Sequence, residues 1–233
     1  MNKNKFQLNG LSVIYEDNHL IAINKPAGAL VHGDETGDTT LSDLVKEYIK
    51  IRYGKPGDVF LGVIHRLDRP VSGVVIFART SKALERMNKM LREHTVDKTY
   101  LAMVTVRPDE FSGTLVHHLL KDEQKNITRA YASKKTGTKE SRLEYKLIGE
   151  LDAKVLLEVH PITGRPHQIR AQLSKIGSPI IGDLKYGAEY PLHDKSIALH
   201  CYKMSFMHPV KNEKIIIKAD PPSLAIWRTF TLE

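Results

Sequence analysis

Short apolar runs separated by gaps of turn length restrict the fold of this 233-residue chain more than any other feature. Runs of roughly four to eight residues bounded by turn residues are typical of β-strands. Because several runs follow one another closely, antiparallel pairing is expected. Strands are predicted at residues 13–15, 20–24, 74–78, 100–106, 127–132, 142–147, 155–160, 198–204 and 215–219.

Two segments near the N-terminal half have a helical period instead. In the first, apolar residues between 41 and 48 fall on one helical face, and Thr40 stands before them as a capping residue. In the second, the helix is predicted to begin near Ser81 and to bury Leu84, Met87 and Leu91.

A third helix is predicted after residue 165. Pro166 suits its first position, Ile169 and Leu173 give it an apolar stripe, and Gly177 suits its end. This interpretation places Arg165 at the N-cap, beside the unpaired amides of the first turn. Strands and helices together predict an α+β protein with a mixed, mainly antiparallel central sheet in two lobes, flanked by helices.

The charge balance favours a polyanionic partner. The formal charge is +8, which points to nucleic acid first and to an anionic membrane surface second. Cys201 is the only cysteine, so an intrachain disulfide and a cysteine-rich zinc site are impossible, and a reducing compartment fits. No apolar run approaches the roughly 20 residues of a membrane helix. We expect a cytoplasmic monomer without a membrane partner.

The segment His65-Arg66-Leu67-Asp68-Arg69 is the strongest candidate for chemistry, because two guanidiniums bracket one carboxylate. An opposite charge within about 4–6 Å keeps a carboxylate ionised, and an ionised Asp can serve as nucleophile or base. Alternatively, Asp68 pairs with an arginine and only helps to form the turn before Gly73. The spacing alone leaves both interpretations open.

Together with its continuation to Thr80, this segment resembles the signature of the RluA-type pseudouridine synthases. Segments 24–32, 98–102 and 163–170 resemble that family's first, tyrosine and arginine motifs, in the family's order, and segment 182–187 is similar to the family's next conserved stretch. Pro70-Val71 departs from the pattern, since many members carry an acid and a threonine there. The resemblance implies a catalytic domain over residues 11–233 with a basic catalytic cleft, after a short extension at 1–10 and without an N-terminal S4 module.

The resemblance also implies an activity. The enzyme would isomerise uridine to pseudouridine in structured rRNA or tRNA, breaking the bond between uracil N1 and ribose C1′ and rejoining the base through C5. It would need neither a metal nor an organic cofactor. Asp68 is implied as the essential carboxylate, Tyr100 as the ring that stacks on uracil, and Arg165 as the arginine that pairs with the carboxylate.

A uridine stacked in folded RNA must be flipped out, at a cost of roughly a few kcal/mol. Arg66 is the candidate to fill the gap, because a guanidinium plane stacks like a base and also binds phosphate. In an extended segment it points the same way as Asp68. Further RNA contacts are predicted at Arg69, Lys98, His167, Arg170 and Lys185.

One alternative is a metal-dependent phosphohydrolase, suggested by His65, Asp68 and the pairs His117-His118 and His193-Asp194. A hydrolytic metal site needs several ligands that converge, whereas adjacent residues on a strand point to opposite faces. This alternative is therefore weak.

Two further alternatives concern sugars and RNA. A non-catalytic RNA-binding protein of the same fold would have the same charge, but it would have no need for Asp68, Tyr100 and Arg165 together. A glycosidase uses paired carboxylates, and no second acid stands out in the four motifs.

Overall fold

The computed structural model describes residues 11–33 and 37–230. These residues form eleven strands and three α-helices. The strands are β1 (Val13–Glu16), β2 (Leu20–Lys25), β3 (Gly62–Val63), β4 (Ser72–Ala78), β5 (Asp97–Val104), β6 (Ser112–Asp122), β7 (Ile127–Tyr131), β8 (Lys139–Leu151), β9 (Lys154–Pro161), β10 (Leu199–Met207) and β11 (Lys214–Lys218). The helices are α1 (Leu41–Arg52), α2 (Ser81–Arg92) and α3 (Gln168–Lys175), and short 3-10 helices occupy Leu184–Tyr186 and Ala225–Thr229.

The described chain divides into two compact units, in agreement with the predicted two lobes. Unit 1 comprises residues 11–33, 37–96 and 202–221, and unit 2 comprises 97–201 and 222–230. Within residues 11–33 and 37–230, no helix is long and apolar enough to cross a membrane.

In unit 1, β2 lies between β1 and β4, and both pairings are antiparallel. The short β3 also pairs antiparallel with β4, and β10 forms an antiparallel hairpin with β11. Every residue of β4 is buried, as are five of the six in β2. The core of unit 1 is therefore built around these two strands.

The first two helices begin where their capping residues predict. The Thr40 hydroxyl accepts a hydrogen bond from the Asp43 amide, and the Asp43 carboxylate accepts one from the Thr40 amide. Such reciprocal capping satisfies two amides that the first turn would leave unpaired. At α2, the Thr80 hydroxyl accepts from the Ala83 amide. Both predicted helices are confirmed, but α2 buries Ala83 and Met87, whereas Leu84 and Leu91, which were predicted to be buried, are only partly buried.

In unit 2, the strands follow the spatial order β5-β9-β8-β6-β7, and every pairing is antiparallel. Helix α3 packs on one face of this sheet, where Leu119, Ala171 and Tyr186 form a buried cluster. The predicted α+β class with a mainly antiparallel sheet is confirmed.

Two sequence predictions need correction in unit 2. Strand β6 was not predicted, because its apolar residues come in adjacent pairs around His117-His118 and show no period of two. The third helix begins at Gln168 rather than at Pro166. His167 has a φ of +52°, in the left-handed region, so the chain before it is not helical and Arg165 is not the N-cap.

Candidate active site

The Asp68 segment is a turn that is anchored on both sides. The Val71 amide donates to the Asp68 carbonyl at 3.0 Å, and the Ile76 amide of β4 donates to His65 Nε2 at 3.1 Å. Leu67 is buried, Asp68 is half-buried and Arg66 is exposed. The segment therefore holds its carboxylate at the surface of unit 1 on a fixed backbone.

Lys25 lies beneath this turn and is fully buried at the end of β2. Its Nζ donates to the Pro26 carbonyl at 3.0 Å and to the Arg69 carbonyl at 3.1 Å. The Gly28 amide, on a residue whose φ of +89° favours glycine, donates to the same Arg69 carbonyl at 2.7 Å. Segment 25–28 thus holds the backbone next to Asp68 in place.

The pKa of Lys25 lies close to neutral pH. Burial and the Arg69 guanidinium lower the Lys25 pKa and the Asp68 carboxylate raises it, and the net result is a pKa of about 7. Lys25 was not predicted as a site residue. The signal for it is a lysine that ends an otherwise apolar strand, just before a proline and a glycine turn.

The exposed side chain of Arg69 contacts neighbouring segments of unit 1. Its Nε donates to the Gly28 carbonyl at 3.1 Å, and its guanidinium forms an ion pair with Asp38 at 3.0 Å. Both partners of the ion pair are about half exposed, so the pair is screened by solvent. Arg69 therefore helps to fold its own turn, while the side chain of Arg66 is exposed.

In unit 2, β5 presents the tyrosine motif. Lys98 and Tyr100 alternate with the buried residues Thr99 and Leu101, so they lie on one face of the strand. The Nζ of Lys98 lies 3.8 Å from the position that a Cβ atom would take on Gly164. Burial lowers the Lys98 pKa. The structure thus brings Lys98 next to the arginine motif.

Arg165 lies on a turn that one buried glutamine closes. The Gln168 carboxamide oxygen accepts from the Arg165 amide at 3.0 Å and from the Thr163 hydroxyl at 2.7 Å. The Gln168 carboxamide nitrogen donates to the Arg142 carbonyl of β8 at 3.0 Å. The Arg165 side chain is exposed, with its Nε 3.5 Å from the Glu140 carbonyl. Gln168 was not predicted, because its role depends on the left-handed residue before it.

The other predicted RNA contacts have different surroundings. Arg170 is only 5% exposed, and it donates twice to the Asp183 carboxylate, at 2.7 and 2.8 Å. This geometry gives Arg170 a structural role in holding α3 and leaves it out of the RNA-binding set. The half-buried His167 hydrogen-bonds to the Tyr186 hydroxyl through Nδ1 at 2.8 Å, whereas Lys185 is exposed and donates to the Asn126 carbonyl.

The histidines that suggested a phosphohydrolase do not converge. His117 is buried on the α3 side of β6, within 3.2 Å of Gln172, and Asp194 caps its own turn by accepting from Ser196. Among residues 11–33 and 37–230, no group of three or more His, Cys, Asp or Glu side chains is placed to hold a metal ion.

Comparison with known proteins identifies the family. A family model described as RNA pseudouridylate synthase matches residues 19–175, which include Asp68, Tyr100 and Arg165. The chain therefore belongs to the RNA pseudouridylate synthases, which are isomerases that modify RNA. The RluA-type resemblance is confirmed.

Individual relatives cover most of the chain. It is 32% identical to a tRNA pseudouridine synthase C of Vibrio parahaemolyticus, over 90% of this chain and 89% of the relative. It is 35% identical to a ribosomal large subunit pseudouridine synthase C of Buchnera aphidicola, over 89% of this chain and 66% of the relative. The fold matches human RNA pseudouridylate synthase domain containing 4, with a TM-score of 0.76 at 23% identity over 91% of this chain and 88% of that one.

Proposed function

We propose that this protein isomerises specific uridines in structured rRNA or tRNA to pseudouridine, with Asp68 as the essential carboxylate. One observation carries the proposal. In a chain of the pseudouridylate synthase family, Asp68 lies half-buried on an anchored turn, beside a buried lysine and two surface arginines. The names of the relatives support both RNA classes. An rRNA or tRNA substrate favours a cytoplasmic location for this protein.

The reaction exchanges one glycosidic bond for another. The bond from C1′ to N1 breaks, the bond from C1′ to C5 forms, N1 gains a proton and C5 loses one. No electrons are gained or lost. An ionised carboxylate suits the attack on the sugar or the base, and Lys25 is buried beside the turn that carries Asp68. Tyr100 supplies a ring to stack on uracil, and Arg165 supplies a guanidinium for a carboxylate or phosphate.

Flipping of the target uridine is part of the proposal. Arg66 is exposed and lies two residues from Asp68 on the same segment. A guanidinium at this position can stack in the gap left by the flipped base. Of the other predicted contacts, Arg69, Lys98, His167 and Lys185 stay in the proposed RNA-binding set.

The decisive experiment is pseudouridine mapping of total RNA from cells with and without this protein. Wild-type protein and Asp58→Asn, which changes an exposed acid in unit 1, are expected to restore the missing modification. Asp68→Asn is expected to restore none of it while keeping RNA affinity within about tenfold, or roughly 1.4 kcal/mol. Restoration by Asp68→Asn would refute the role of this carboxylate.

A further inference from the structure

The hydroxyl of Tyr186 lies where three elements of unit 2 meet. Tyr186 is 7% exposed and ends the 3-10 helix Leu184–Tyr186. The Thr128 amide of β7 donates to this hydroxyl at 2.7 Å. The same hydroxyl lies 2.8 Å from Nδ1 of His167, the residue before α3. One buried oxygen atom therefore joins β7, the 3-10 helix and the start of α3.

The partners of the hydroxyl fix the direction of its proton. Within the part of the chain that the structure describes, these partners are the Thr128 amide and His167 Nδ1. A backbone amide can only donate, so the Tyr186 oxygen accepts from Thr128 and directs its own proton at His167 Nδ1. Burial raises the Tyr186 pKa, although the Thr128 amide and the Arg170 guanidinium act in the opposite direction. Because Nδ1 accepts this proton, the neutral imidazole of His167 carries its own proton on Nε2.

The rings around Tyr186 hold the imidazole in one orientation. The Arg170 guanidinium lies 4.8 Å from the centre of the Tyr186 ring, and two hydrogen bonds to the Asp183 carboxylate fix that guanidinium in turn. The His167 ring meets the Tyr186 ring edge-on, with centres 5.7 Å apart and planes at 86°. The imidazole has little freedom to rotate, because both its plane and its Nδ1 have a fixed partner.

The backbone of His167 indicates that its side chain is needed. The His167 φ of +52° lies in the left-handed region, where glycine is accommodated without cost and residues with a side chain are uncommon. Sparsely populated backbone conformations persist where the surrounding structure enforces them, and they cluster at binding and active sites. His167 also lies two residues after the exposed Arg165 in the arginine motif. A fixed N–H donor so close in the chain to a guanidinium suits contact with the RNA backbone.

We propose that Tyr186 is a positioning residue that holds the His167 imidazole in one tautomer and orientation, so that Nε2–H donates to a phosphate oxygen of the substrate RNA. The inference rests on the proposed function, in which His167 contacts RNA, and it adds a residue that the catalytic and RNA-binding sets do not contain. Tyr186 acts through His167 and makes no RNA contact itself. Removing its hydroxyl should therefore weaken RNA binding only while His167 is present.

The test is a double-mutant cycle on RNA affinity. Labelled tRNA and large-subunit rRNA fragments are titrated with wild type, Tyr186→Phe, His167→Asn and the double variant, and kcat is measured at saturating RNA. Tyr186→Phe keeps the ring and removes only the hydroxyl. Asparagine tolerates the left-handed backbone and keeps an acceptor near the place of Nδ1, but it lacks the donor at Nε2. The matched control is Tyr48→Phe, which removes a buried hydroxyl of unit 1 that donates to Glu16 at 2.9 Å.

His167→Asn is expected to weaken RNA binding about tenfold and Tyr186→Phe about fivefold, with kcat near that of the wild type, because a lost binding contact raises KM and leaves kcat unchanged. The double variant should bind about tenfold more weakly than the wild type, like His167→Asn alone, since residues in one hydrogen-bonded unit are not additive. Tyr48→Phe should bind like the wild type. A loss of about fiftyfold in the double variant, the product of the two single effects, would show that Tyr186 is only structural and would overturn the inference. Unchanged affinity in His167→Asn would overturn it equally.

Nitrogen-15 NMR tests the tautomer without RNA. In the wild type, the neutral His167 ring should carry its proton on Nε2, and Tyr186→Phe should shift the Nδ1 resonance, because that nitrogen loses its donor. A wild-type ring that carries its proton on Nδ1 would contradict the inference, and this measurement applies even if Tyr186→Phe does not fold. Absence of pseudouridine with the wild type on every RNA would instead overturn the proposed function.

Discussion

Replacing Lys25 with Met is expected to remove a pH-dependent part of the folding free energy. Burial lowers the Lys25 pKa from 10.5 to about 7, even though the Asp68 carboxylate acts in the opposite direction. Between these two values the unfolded chain holds a proton on Lys25 that the folded chain has released. Stability must then rise with pH across this window, because the unfolded state binds more protons.

The size of the effect follows from the two pKa values. Well inside the window, each pH unit adds about 1.4 kcal/mol to the free energy of unfolding. From about pH 7 to about pH 9, allowing for partial titration at the lower end, the gain is about 2 kcal/mol. Below about pH 6 both states carry the proton, and this contribution to the slope disappears.

Urea unfolding followed by circular dichroism at several pH values measures the effect. Wild type should gain about 2 kcal/mol relative to Lys25→Met between about pH 7 and pH 9. Lys82→Met, which changes an exposed lysine of α2, should follow the wild type. Parallel pH curves for wild type and Lys25→Met would refute the reasoning. If Lys25→Met does not fold, an NMR titration of wild-type Lys25 with a midpoint near 10.5 would refute it equally.

Two further predictions concern the reaction itself. Arg66→Ala is expected to slow single-turnover modification of folded RNA more than that of an unstructured oligonucleotide, because only the folded RNA leaves a gap when uridine flips; equal slowing on both RNAs would contradict this role. Gln168→Met removes the acceptor that holds the Arg165 amide, so kcat is expected to fall about tenfold or more, worth about 1.4 kcal/mol, with little change in RNA affinity. Gln168→Glu keeps the acceptor and should restore part of kcat, whereas lower thermal stability with normal kcat would show that Gln168 is only structural.

Local patterns in the sequence determined most of the secondary structure. Thr40 and Thr80 cap their helices because a hydroxyl before an apolar period needs only the next few amides to act. The buried strands β2 and β4 are nearly continuous apolar runs of six and seven residues with several β-branched side chains, and this short length favours a strand over a buried helix. The motif around Asp68 likewise indicated the family, because the order of this motif and three others along the chain can be read directly from the sequence.

Tertiary structure decided the features that depend on distant partners. The Lys25 pKa is lowered by burial and by the nearby Arg69 guanidinium, and both causes depend on segments that meet only in the folded chain. The start of α3 shifted because His167 takes a left-handed conformation while Gln168 binds back to β8. Arg170 became structural because Asp183, thirteen residues later, lies beside it in the fold. Hydrophobic periodicity and helix capping depend on residues close together in the sequence. Burial and charge pairing depend on tertiary contacts between distant segments, and a single sequence does not specify those contacts residue by residue.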